Sequence, residues 1–195
     1  MRDSIFIVIR PEEIEEAKRK QNKVHAESGS LFESETAWVG YLGEKKFPKA
    51  LLVMGIDPKT EVEELGRPNQ KDFRVLGTLV EIKTAHQNGK TQPYYSCKVP
   101  EEKMNRYLSG ERPEVFFFAA FVANMKAVEY YGWITFDDFK KRAIYYPKGY
   151  QEGGFTAKYP YFAVTAGILN APQTFHVEQP PPEGCSMKRF VEQAP

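Results

Sequence analysis

At 195 residues, 42% hydrophobic and 27% charged, the chain suits one soluble globular domain with a sizeable core. Two cysteines, Cys97 and Cys185, lie far apart and match no zinc or C-x-x-C spacing, which gives no hint of a disulfide scaffold and suits a reducing cytoplasm. The net charge of +1 singles out no partner, because a balanced total can hide a basic groove.

Ser4 to Ile9 reads as a strand, too short for a signal h-region and followed at once by acidic residues. Pro11 and a Glu-rich first turn open a polar helix running from Glu12 to about His25, broken at Ser28-Gly29-Ser30. A second helix is predicted from about Glu33 to Lys45, with a small-residue face for close packing on a sheet. The run Ala50 to Met54 reads as a buried strand, and Asp57 to Lys71, with Pro58, Gly66 and Pro68, as a loop. Asp72 to Lys83 then reads as two short strands around a turn at Gly77. A loop from His86 to Thr91 leads to a strand near Tyr94 to Val99 and a helix from Pro100 to about Leu108. Val115 to Val122 is a central strand, far short of a membrane span, and Ala127 to Trp133 is its neighbour. Thr135 caps a helix over Phe136 to Ala143, and Tyr161 to Thr165 is a late strand. Pro180 to Glu183 reads as irregular. Mixed strands and helices around one sheet make the class α/β, in a single domain over residues 1–195, soluble and cytoplasmic or otherwise intracellular, with no membrane partner.

The chemistry concentrates in the hairpin. Alternation sends Glu81 and Lys83 to one face of their strand and Val80 and Ile82 to the other, while Asp72 can return beside them. Two carboxylates and an ammonium can hold Mg²⁺ and orient a water at a phosphate, and the backbone carbonyl of Ile82 could complete the coordination. Charged residues alternating with apolar ones are also the ordinary appearance of a half-exposed strand, so the context of the motif matters. An apolar run precedes it, and a helix and a central strand follow.

With Gly43-Glu44 ending a helix, then Asp72, then Glu81-Ile82-Lys83, the chain resembles the PD-(D/E)xK, or restriction-endonuclease-like, nuclease superfamily. The resemblance covers about residues 33–133 and implies an αβββαβ core with a mixed central sheet flanked by helices, plus N- and C-terminal extensions, the latter over 147–195. It implies that Asp72 and Glu81 bind Mg²⁺, with Mn²⁺ expected to substitute, that Lys83 assists catalysis, and that Glu44 is an additional acid. Asp72 departs from the family pattern, since Lys71 and not proline precedes it. Asp57, after an apolar run and before Pro58, is the rival first carboxylate, although a turn cap is its commoner role. The resulting expectation is a DNA endonuclease, and dimerisation would let such a fold cut both strands. The alternative is a catalytically inactive nuclease-fold protein serving as a nucleic-acid-binding or assembly module.

For contacts to nucleic acid, Lys45 and Lys46 follow the proposed first helix, and Tyr94 and Lys98 share one face of the strand after the motif. The stretch Tyr145 to Tyr150 offers aromatic rings that stack on bases or pack as a lid. No Gly-rich phosphate loop suggests coupling to ATP, and His25, His86 and His176 have no metal-like spacing.

Overall fold

The computed structural model describes residues 4–28, 37–65, 73–110, 112–152 and 155–175. Asp72 and the Pro180 to Glu183 stretch lie outside the described residues. Strand β1 (Ile5–Val8) leads to α1 (Pro11–Ser28) and α2 (Ala37–Val53). Strands β2 (Val62–Glu64), β3 (Phe73–Val75), β4 (Thr78–Gln87) and β5 (Ser96–Pro100) follow, then α3 (Glu101–Ser109). Next come β6 (Val115–Val122), β7 (Ala127–Thr135), α4 (Phe136–Arg142), β8 (Ile144–Tyr146), β9 (Gln151–Glu152), β10 (Phe155–Thr156) and β11 (Tyr161–Thr165). No helix among the described residues is long and apolar enough to cross a membrane.

Six strands form one mixed sheet in the order β1-β7-β6-β4-β3-β2. Only the central pair, β4 with β6, is parallel. A second, antiparallel sheet joins β5, β11 and β8, and β9 pairs with β10. All eight residues of β6 are buried, because helices and the second sheet cover the large sheet on both faces. On one face Val80, Ile82, Phe117 and Tyr130 pack with α2 residues such as Leu42, Phe47 and Leu51. On the other, Phe116, Phe118 and Ile134 pack with Met104 and Tyr107 of α3 and Phe136 and Phe139 of α4. Each such large side chain contributes about 1.5–3 kcal/mol by leaving water.

Local chemistry explains several boundaries. Pro11 opens α1, and the Arg10 N–H donates to the Glu13 carboxylate (3.0 Å), half of a capping box. Thr135 caps α4 by accepting from the Asp138 N–H. The β3–β4 turn is Leu76-Gly77, with φ of 48° and 86°, the two left-handed residues of a tight hairpin. Tyr131 forms a bulge where the β6–β7 register shifts after Phe118. At neighbouring Gly132 a Cβ would stand 2.6 Å from Leu169 Cβ, so only glycine admits the crossing segment.

Three expectations are corrected. Ala50 to Met54 is no strand: Ala50 to Val53 form the last turn of α2, which runs through Pro48. Buried positions Val39, Leu42, Gly43, Lys46, Phe47, Ala50 and Leu51 step by threes and fours, which is a helix stripe, while Leu52 and Val53 face solvent. The segment after Asp57 is not wholly loop, since β2 pairs there with β3. Strand β4 also continues to Gln87, past the expected loop start at His86, because β6 supplies a partner along its length. The Tyr161 to Thr165 strand is present as β11.

Candidate active site

Strand β4 places Glu81 and Lys83 on the face turned toward α3, with Val80 and Ile82 in the core behind them. Glu81 is 3% exposed, and three donors converge on its Oε1. These are the Lys83 ammonium, the Tyr107 hydroxyl (2.6 Å) and the Lys103 ammonium (3.4 Å). Lys103 and Tyr107 sit four residues apart on α3, so one helix face delivers both. Burial by itself would raise the Glu81 carboxyl, but the charges of Lys83 and Lys103 and the bonds from Lys83 and Tyr107 hold it below the ordinary carboxylate value.

Glu44 reaches the same place from α2. It lines a cleft of about 1030 Å³ together with Lys83, Lys98 and Lys103. Its carboxyl is pushed up to about 7, first by burial and then by the charge of Glu81, against the pull of Lys103 and Lys83. Glu64, at the end of β2, adds to the upward push. No hydrogen bond to the Glu44 carboxylate forms among the described residues. Close approach of α2 depends on Gly43, where a Cβ would overlap Thr84 Oγ1 of β4. The Gly43 carbonyl also accepts from the buried Tyr130 hydroxyl. Thr84 thus packs under the helix, and its Oγ1 is buried with no hydrogen-bond partner among the described residues. Pro48 has no N–H to give to the carbonyl of Glu44 one turn earlier.

The remaining candidates divide. Tyr94, in the turn before β5, and Lys98 line the cleft; within β5 alternation turns Cys97 and Val99 to the core and Lys98 to the opening. Lys46 is a correction. It is 2% exposed and bonded to Glu13 of α1 at 2.6 Å, which leaves it no surface to offer a ligand. Lys45 pairs with Glu16 of α1 at 2.7 Å and does not line the cleft. At about 100° of rotation per residue, a helix that aims Glu44 at the cleft turns its next two residues toward α1. Asp57 caps a turn: its Oδ1 accepts from the Lys59 N–H, and its own N–H donates to Glu61. Asp72 lies outside the described residues; its neighbour Phe73 pairs with Val80, the neighbour of Glu81. In the Tyr145 to Tyr150 stretch, Tyr146 and Tyr150 pack on each other, and Tyr146 stacks on Tyr161, so these rings build a small core.

Sequence reasoning missed Lys103, Tyr107 and Glu64. The visible signal was K-x-x-x-Y on the helix that follows the motif, but only the packing of α3 over β4 gives it meaning.

The oxygen donors suit a hard divalent ion. Glu44 and Glu81 bring two carboxylates near enough for one to raise the other, and Glu44 receives no hydrogen bond among the described residues. Among those residues no three His, Cys, Asp or Glu side chains gather as a complete ligand set. Comparison with family models, with curated proteins and with solved structures finds no match for this chain.

Proposed function

We propose that this chain is a divalent-metal-dependent DNA endonuclease. The observation that carries the reading is the meeting of Lys83 and Glu44, from a sheet strand and a helix, in one cleft, with the buried Glu81 bonded to Lys83 and close enough to raise Glu44. The element order α2, β2, β3, β4, α3, β6 supports a restriction-endonuclease-like αβββαβ core, with β5 as an addition before α3. Asp72 and Glu81, with the Ile82 carbonyl, would hold Mg²⁺ or Mn²⁺, and Glu44 would be the further acid. A bound divalent ion supplies charge stabilisation at the phosphoryl oxygens.

The chain's own residues do the rest. Lys83 orients the attacking water and neutralises charge developing on the phosphate, and its contact with Glu81 keeps the ammonium fixed in place. Lys103 and Tyr107 are positioning residues that hold the Glu81 carboxylate in its ionised form. Phosphodiester hydrolysis is the chemistry that uses this combination of acid pair and lysine beside a cleft.

One feature favours a second reading. Three donors on one carboxylate oxygen also make a stable structural network, as a catalytically inactive nuclease-fold binding or assembly module would retain. One assay separates the two. The purified chain is incubated with supercoiled, linear and single-stranded DNA in Mg²⁺, Mn²⁺ or EDTA. Cleavage is expected only with metal, and Glu81→Ala and Lys83→Ala should each reduce it at least about 100-fold with an unchanged far-UV spectrum. Full cleavage by Lys83→Ala, with contaminating nuclease excluded, refutes the reading. Metal-independent DNA binding without cleavage by the wild type favours the module.

A further inference from the structure

Part of the cleft lining is aromatic and basic. Tyr94 is 71% exposed, and Phe155 and Tyr159 are 44% and 43% exposed, yet all three line the same cleft as Lys83 and Glu44. Large rings left open to water inside a concave site are costly unless a ligand covers them. Lys98 stands among them, its ammonium 3.8 Å from the centre of the Phe155 ring and 4.7 Å from that of Tyr161. The lining carries three lysines, Lys83, Lys98 and Lys103, and two carboxylates, Glu44 and Glu152. Flat hydrophobic faces interleaved with ammonium groups match a chain of nucleobases joined by phosphates.

We infer that the cleft takes an unpaired polynucleotide strand, with bases stacked on Tyr94, Phe155 and Tyr159 and phosphates drawn to the lysines. The inference deepens the nuclease reading and rests on it for the identity of the phosphate-bearing ligand. Pairing state follows from the rings. In a duplex each base face is covered by its neighbours in the stack, so a tyrosine ring in a concavity finds a face to cover only where the strand is unpaired. A duplex reader presents a helix or ribbon to a groove, whereas these rings line a hollow.

The test is fluorescence anisotropy with the full chain in EDTA, where nothing can be cut, using labelled single-stranded DNA, single-stranded RNA and duplex DNA of one sequence and length. The single strands are expected to bind at least ten-fold tighter than the duplex, and the two single-stranded arms show which sugar is preferred. Tyr94→Ala should weaken single-strand binding about 5- to 150-fold, the range of one lost base stack, while Tyr94→Phe retains it. Tyr159→Ala should act in the same direction. Tyr94 is mostly outside the core, so its variants are expected to fold, which their thermal midpoints verify. Equal or tighter duplex binding, no single-strand binding, or an indifferent Tyr94→Ala overturns the inference. Because metal is absent, these outcomes are independent of whether the wild type cleaves DNA in Mg²⁺: loss of cleavage alone sinks the nuclease reading, and loss of strand preference alone sinks this one.

Discussion

Replacing Lys46 by methionine tests the clamp between α1 and α2. The Lys46 ammonium lies 2.6 Å from Glu13 Oε1, with the two side chains 2% and 9% exposed. At an effective dielectric of about 20, a pair at that distance attracts by about 6 kcal/mol before the cost of removing both charges from water. Lys46→Met keeps the chain's length and its packing against α1 but strands the Glu13 carboxylate. Removing one member of a buried pair costs about 3–5 kcal/mol. The lower end applies, since Glu13 still accepts from the Arg10 N–H and pairs with the exposed Arg10 guanidinium. A loss of about 3 kcal/mol is expected in urea denaturation at pH 7, or about 6–12 °C in Tm for a chain of this size. The double variant Glu13→Gln/Lys46→Met keeps an acceptor for the Arg10 N–H and removes both charges, so it should recover most of that loss. pH supplies a second readout. Burial would raise Glu13, but the Lys46 bond and charge, with the Arg10 backbone, bring it down from 4.5 to about 2. A depressed carboxyl stabilises fully above its unfolded value, and that stability disappears as pH falls from about 4.5 to about 2. The shift sets a ceiling of about 3 kcal/mol, reduced where water screens the pair. The double variant should lose less stability than the wild type across that interval. A cost below about 1 kcal/mol for Lys46→Met, or strict additivity in the double variant, refutes the reasoning.

Gly43→Ala should destabilise by about 3 kcal/mol, because its Cβ overlaps Thr84 Oγ1, and Thr84→Ala in the same chain should recover part of the loss in urea melts. Gly132→Ala should cost a similar amount, with no such remedy, since it meets the Asn170 carbonyl at 2.8 Å as well as Leu169. In a Cys185→Ser background, Cys97 should resist a thiol reagent at pH 8 until the fold opens. Burial pushes that thiol up to about 12, against a small opposing pull from the Tyr131 hydroxyl, so labelling should track unfolding in denaturant and not reagent concentration.

Elements with local signals were legible in the amino-acid order. Pro11 with its acidic turn, Thr135 before Asp137 and Asp138, and the Val115 to Val122 run marked α1, α4 and β6 to within a few residues. The same logic placed Glu81 and Lys83 together, because alternation in a strand needs no tertiary knowledge. Ala50 to Met54 was misread because a short apolar run has no period, whereas packing on β4 and β6 carries the helix through Pro48. The rotation that buries Lys46 against Glu13 depends on α1 lying across α2, which is a long-range fact. Lys103 and Tyr107 gained their role in the same way, when the parallel pairing of β4 with β6 brought α3 over the strand. Strands β8, β9 and β10 are too short to leave a pattern of their own.

That central parallel pair also sets an order of events. The β3–β4 hairpin closes through two turn residues and can form early, whereas β6 joins β4 only after the chain has passed through β5 and α3. Glu81 and Lys83 are present in the hairpin from the start, but their counterparts on α2 and α3 arrive with the long-range contacts. A nascent or partly unfolded chain therefore carries Glu81 and Lys83 without the α2 and α3 residues that surround them. On the proposed nuclease reading, competence to act on a phosphate would be a late product of folding, reached only once the whole sheet has closed.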